Sequence, residues 1–112
     1  MAYRNAIAAA SGCSAVLLGA FGAHGLKGID PSLLATWNTA AHYHLVHSLA
    51  LVHVSRLGGG AASSLSYNLF ASGIALFSGS LYLLVLTRYK PLGAITPIGG
   101  LLLAGAWASL AF

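Results

Sequence analysis

Charged residues are almost missing from this 112-residue chain, where they make up 5% of the sequence. An average soluble domain contains about 25%, so a water-facing surface could not be covered with the few charges here. Asp30 is the only acidic residue, and the five lysines and arginines form no basic patch, which disfavours nucleic-acid binding. Cys13 is the single cysteine, so no disulfide can form within the chain. These shortages predict a protein surrounded by lipid.

Catalytic motifs are missing as well. The sequence contains no nucleophile elbow, no phosphate-binding Walker motif and no paired carboxylates. Ser78 and Ser80 flank a glycine inside an apolar run, and we interpret them as packing residues. The sequence therefore predicts no enzymatic activity, no resident metal and no cofactor.

Long apolar runs are what the chain has instead. Hydrophobic residues make up 58% of it and its mean hydropathy is +0.84. Four runs without a charged residue each extend over about 30 Å as a helix, the thickness of the hydrocarbon core. These runs are residues 6–26, 33–54, 65–86 and 92–112. Short breaks between them make neighbouring helices antiparallel, so residues 1–112 are predicted to form one all-α, integral membrane, antiparallel four-helix bundle.

Helix-start signals occur in the first break and inside the fourth run. Asp30 and Ser32 are candidate N-caps of the second helix. Pro97 suits the first turn of a helix, so the fourth helix is predicted to begin near Thr96. The few charges leave the orientation open, because the positive-inside rule finds similar numbers of cations at both ends.

Glycines at spacings of three and four residues predict tight helix packing, since small residues let membrane helices approach closely. The predicted packing positions are Gly12, Gly19, Gly22, Gly73, Gly79, Gly99, Gly100 and Gly105.

The second run contains histidines near mid-membrane, where ionisable side chains are functional candidates. Helical periodicity puts His44 and His47 on one face and His42 on the opposite one. Counting depth along antiparallel helices puts Ser72, and Cys13 or Ser14, near His47. Three hypotheses follow for His44 and His47: hydrogen bonds that fix helix packing, a haem or metal site that could include Cys13, and a proton or quinone site.

Four sequence blocks together resemble a known family of small membrane proteins. They are Gly19-Ala-Phe-Gly-Ala-His-Gly-Leu26, Trp37-x-Thr-Ala-x-x-Tyr-His-x-x-His47-x-Leu-Ala-Leu51, Phe77-Ser-Gly-Ser-Leu-Tyr82, and Leu92-Gly-x-Ile-Thr-Pro-Ile-Gly-Gly100 with Trp107 beyond. The family is domain of unknown function 423, which includes bacterial YgdD- and YwdK-like proteins and the animal transmembrane protein 256.

This resemblance implies a four-helix protein of the bacterial plasma (inner) membrane or the mitochondrial inner membrane, and it implies no activity. Gln often stands in the family where this chain has His44, whereas the counterpart of His47 recurs, so His47 is the stronger single candidate. We expect a structural or accessory subunit that docks in the bilayer against other membrane subunits, such as a respiratory complex, or against a second copy. The alternatives are a haem-, metal- or quinone-binding protein using His47 with His44 or Cys13, and a small carrier or channel.

Overall fold

The chain folds as four helices packed into a bundle. The computed structural model describes residues 2–58 and 60–111. Its elements are α1 (Ala2–His24), α2 (Pro31–Ser55), α3 (Ala61–Thr87), a short 3₁₀ helix (Lys90–Ala94) and α4 (Thr96–Ser109). The prediction of an all-α four-helix bundle is confirmed.

Two of the helix starts follow from local side-chain chemistry. Asp30 is the N-cap of α2, and its carboxylate accepts hydrogen bonds of 2.9 Å from the backbone N–H and the hydroxyl of Ser32. The backbone hydrogen bond first, and the hydroxyl second, lower the pKa of Asp30 below its ordinary value. Helix α4 begins at Thr96, with Pro97 in its first turn, where the missing N–H of proline costs no helical hydrogen bond. Asp30 as the cap and the start at Thr96 are both confirmed.

The helices pack antiparallel in chain order, α1 on α2, α2 on α3 and α3 on α4. Their buried apolar residues form two clusters. One joins all four helices through Ala8, Ala50, Leu51, Val54, Tyr67, Phe70, Ile74, Leu103 and Ala106. The other lies towards the opposite end of the bundle and contains Trp37, Ala40, Ala41, Tyr82 and Val85.

Close backbone approach between α3 and α4 depends on glycine. A Cβ atom at Gly99 would overlap the backbone nitrogen of Phe77, and one at Gly73 would lie 2.6 Å from the Leu103 side chain. On α1, a Cβ at Gly22 would lie 2.5 Å from the Trp37 ring. Side chains at these three positions would force the helices apart.

The other predicted packing glycines divide into two groups. A Cβ atom at Gly12, Gly19 or Gly100 would meet its nearest neighbouring atom at 3.9, 4.0 or 3.6 Å, which is ordinary contact distance. A Cβ at Gly79 or Gly105 would meet nothing within 4 Å. At these two residues the predicted close helix approach is absent, because an added Cβ atom would reach no atom of a neighbouring helix.

In the part of the chain that the structure describes, three segments are long and apolar enough to cross a membrane, namely Tyr3–His24, Ala61–Thr87 and Lys90–Ser109. Helix α2 is long enough at 25 residues, but its histidine, asparagine, serine and threonine side chains lower its hydropathy. It packs between α1 and α3 and turns many of its polar groups towards them. The crossing by α2 stays a prediction, and its position between two apolar helices supports it.

Candidate functional site

His44 connects three helices. It is buried on α2, and its Nδ1 lies 2.9 Å from the hydroxyl oxygen of Tyr82 on α3. Its Nε2 lies 3.4 Å from the hydroxyl oxygen of Ser14 on α1. The Ser14 hydroxyl donates its hydrogen to the carbonyl of Ser11, so the consistent arrangement has His44 Nε2–H donating to Ser14 while Nδ1 accepts from Tyr82. Both ring nitrogens are therefore used in packing contacts.

His47 connects α2 to α4 in the same manner. Its Nδ1 lies 2.7 Å from the backbone carbonyl of Tyr43, and its Nε2 accepts a 3.0 Å hydrogen bond from the indole Nε1–H of Trp107. A carbonyl can only accept, so Nδ1 carries the hydrogen and the ring is neutral. A haem or metal ligand at Nε2 would have to displace Trp107.

Serine hydroxyls form further hydrogen bonds between α2 and its neighbours. Together with the contacts of His44 and His47 they make a row of polar contacts along α2, which we call the polar seam. Ser48 donates to the His44 carbonyl at 2.6 Å and lies 2.6 Å from the hydroxyl of Ser11 on α1. Ser78 on α3 donates to the Ala40 carbonyl at 2.8 Å. Each contact satisfies a polar group that would otherwise be unpaired in hydrocarbon. The seam shows how α2, the most polar helix, is accommodated among the other three.

The depth count along the helices found some neighbours and missed others. Ser14 contacts His44 rather than His47, and Ser72 is exposed and bonds within its own helix. Cys13 is exposed on α1, away from the α2–α4 contact of His47. These predicted neighbours of His47 were wrong, because depth alone ignores the direction in which each helix turns its side chains.

Two functional contacts were missed, those of Tyr82 and Trp107. Both residues belong to the sequence blocks that carry the family resemblance. An aromatic side chain with a polar tip inside an apolar span needs a hydrogen-bond partner when it is buried, and that signal could have paired them with the histidines. His42 and His53 are exposed. His42 lines one cavity together with His47, although helical periodicity put these two residues on opposite faces of α2.

A metal site would need several donors close together. Within residues 2–58 and 60–111, no group of three or more His, Cys, Asp or Glu side chains is placed to hold a metal ion. The ring nitrogens of His44 and His47, which are the atoms that could bind a metal, already form hydrogen bonds.

A groove opens between α2 and α4 beside His47. Its volume is about 430 Å³, and one wall is formed by His42, Tyr43, Val46 and His47 of α2. The remaining lining consists of Phe77, Gly100, Leu103, Ala104 and Trp107. A second cavity of about 450 Å³ shares Val46 and Trp107 with it and extends to His53 and Leu110. The two cavities adjoin at these shared residues, and we call them together the α2–α4 groove.

Sequence comparisons place the chain in one family. A family model described as "Protein of unknown function (DUF423)" matches residues 18–100. UPF0382 membrane protein YwdK of Bacillus subtilis is 48% identical over 99 residues, covering 83% of this chain and 80% of the relative. A UPF0382 membrane protein of Staphylococcus aureus is 46% identical over 99 residues, with 86% and 81% covered.

A fungal relative has a similar extent. A UPF0382 membrane protein of Schizosaccharomyces pombe is 40% identical over 111 residues, covering 93% of this chain and 94% of the relative. No solved structure matches the chain. The family match and these identities agree with the apolar helices, so this chain is a small multi-pass membrane protein of unknown function that belongs to the DUF423 (UPF0382 membrane protein) family.

Proposed function

We propose that the protein is an accessory subunit that docks laterally in the bilayer and receives a transmembrane helix of another membrane protein in its α2–α4 groove. The single observation that carries this proposal is the composition of the groove. Its α4 side contains Gly100 and Ala104 at a spacing of four, and small residues at that spacing let a second helix approach closely.

Polar groups on the opposite wall strengthen the proposal. His42 is exposed at the groove, about 17 Å along α2 from its first residue. It makes no hydrogen bond with any described residue, and its ring contact is with Tyr43. Ionisable residues at this depth face protein or a water-filled cavity rather than lipid. A docked helix that brings a polar side chain would satisfy His42.

The proposed membrane is the bacterial plasma membrane or the mitochondrial inner membrane. A multi-subunit assembly of that membrane, such as a respiratory complex, is the proposed partner. The protein contributes no catalysis in this proposal, and its role is to stabilise or position the helix it contacts.

Native mass spectrometry after purification in mild detergent tests lateral docking. We expect the wild-type protein to retain a membrane partner. Ala104→Leu fills the groove and is expected to release that partner. Ala20→Leu makes the same change at an exposed position of α1 outside the groove and is expected to retain it. A strictly monomeric wild-type protein, or equal retention by both variants, contradicts the proposal.

A lipid-soluble small molecule is the second candidate occupant. The groove volume falls in the range of small-molecule sites, and His42 and Tyr43 could hydrogen-bond to a quinone carbonyl. Solvent extracts of the purified protein, analysed by mass spectrometry, would reveal a stoichiometric quinone. A metal or haem bound through His47 would need the Trp107 hydrogen bond to break, so visible absorption of Trp107→Phe is compared with that of the wild type.

A further inference from the structure

Arg4 is a buried cation that no acidic side chain neutralises. Only 8% of its surface is exposed, and Asp30, the sole acidic residue of the sequence, caps the start of α2. Arg4 lies instead beside the end of α2, because its neighbour Asn5 accepts a 2.8 Å hydrogen bond from Ser55. The two charges are therefore at opposite ends of the bundle. Burying a charge without a counter-ion is costly, so an anion is expected near Arg4.

The immediate surroundings of Arg4 raise that cost. Its Nη2 donates a 2.9 Å hydrogen bond to the hydroxyl of Ser64, which lies near the start of α3. The N-terminal end of a helix carries a partial positive charge. Gly60, the N-cap of α3, supplies no side-chain hydrogen bond, so the amide groups of the first turn keep free donors. The positively charged guanidinium group of Arg4 therefore lies close to the partial positive charge at the start of α3, and the two repel each other.

One donor of the guanidinium group has no partner among residues 2–58 and 60–111. The Arg4 Nε is buried and forms no hydrogen bond with any residue that the structure describes, although buried polar groups are nearly always paired. The guanidinium carbon lies 4.9 Å from the centre of the Tyr67 ring. This cation–π contact orients the group and contributes favourable energy, but it supplies no hydrogen-bond acceptor and no negative charge.

We propose that Arg4 and the first turn of α3 bind the phosphate group of an anionic phospholipid. Helix N-termini with free N–H groups bind phosphates, and arginine matches their oxygens with a fork of donors. Arg4 is in the first turn of α1, which puts the site at the level of the lipid headgroups rather than in the hydrocarbon. Exposed Arg56, the C-cap of α2, adds a second positive charge at that end. This site is separate from the α2–α4 groove, and its test does not depend on docking there.

Native mass spectrometry of delipidated protein in detergent tests the site. The protein is titrated with phosphatidylglycerol, with zwitterionic phosphatidylcholine and with inorganic phosphate. We expect a preference for phosphatidylglycerol, and we expect Arg4→Gln to weaken it by about tenfold or more, the value of a hydrogen bond to a charged group. Lys90→Gln removes the same charge at the opposite end of the bundle, and its phosphatidylglycerol binding is expected to match the wild type.

Arg4→Lys provides a second variant if Arg4→Gln does not fold, because it keeps the charge and loses the fork of donors. Weaker phosphatidylglycerol binding by Arg4→Lys supports the site. Unchanged binding by the Arg4 variants, or equal affinity for the two lipids in the wild type, overturns it. Displacement of bound phosphatidylglycerol by millimolar inorganic phosphate overturns the assignment of the ligand as a lipid.

Discussion

The hydrogen bond between His47 and Trp107 can be isolated by a double-mutant cycle. Trp107→Phe removes the indole donor and keeps an aromatic ring, while His47→Phe removes the acceptor and the bond to the Tyr43 carbonyl. The double variant removes both groups of the 3.0 Å contact. The coupling energy is the part of the destabilisation that the two single variants share.

The geometry sets the size of that coupling. The contact is a direct neutral hydrogen bond between two helices, and Trp107 remains 48% exposed, so little burial is lost with the indole ring. Hydrogen bonds between membrane helices contribute about 0.6 kcal/mol on average and about 1.7 kcal/mol at most. We therefore expect a coupling of about 0.6–1.7 kcal/mol, with His47→Phe the more destabilising single variant because it loses two contacts.

Denaturant-induced unfolding in mixed micelles, followed by circular dichroism, measures the free energy of unfolding of all four proteins. Trp37 is buried and unchanged by these substitutions, so it gives a fluorescence probe in both Trp107 variants. Tyr89→Phe changes an aromatic residue at an exposed position and serves as the control. A coupling of zero within error, or equal effects of Trp107→Phe and Tyr89→Phe, would refute the assigned role of this contact.

Two further predictions concern packing and capping. Gly99→Ala should lower the free energy of unfolding by about 1–3 kcal/mol, typical of overpacking, because its Cβ would collide with the Phe77 backbone. Gly105→Ala is the control, and it should leave the free energy of unfolding unchanged or higher because its Cβ meets nothing within 4 Å. Equal effects of the two variants contradict the α3–α4 contact. The Asp30 carboxylate has a lowered pKa in the folded protein, so its stabilising contribution is present above the ordinary value of 3.8 and is lost as the pH falls through the folded-state value. Acid unfolding curves should show this loss in the wild type and not in Asp30→Asn, which caps the helix without a charge; parallel curves contradict the assignment.

Much of the fold could be predicted because it depends on short-range chemistry. The penalty for charge in hydrocarbon keeps charged residues out of the apolar runs. The need to pair every backbone N–H and C=O group in hydrocarbon makes each run a helix. Asp30 and Pro97 mark two helix starts because capping and the missing proline N–H act within one turn. Short connections make consecutive helices antiparallel neighbours. All of these effects operate between residues close in sequence.

The partners inside the bundle could not be obtained in the same way. Helical periodicity puts His44 and His47 on one face, but the rotation of each neighbouring helix decides which side chains meet them. That rotation follows from the packing of the whole bundle, including the close approach of α3 and α4 at Gly99. Depth counting therefore missed Trp107, 60 residues beyond His47.

The few charged residues indicate the lipid environment from composition alone, whereas only the fold decides which of them has a partner. Composition is sufficient to indicate a lipid-embedded chain, because transfer free energy depends on the residues present and not on their arrangement. Whether a given charge has a partner depends on arrangement alone. Folding places Arg4 and Asp30 at opposite ends of the bundle and leaves a buried guanidinium beside the start of α3, because antiparallel packing brings the first turns of α1 and α3 together.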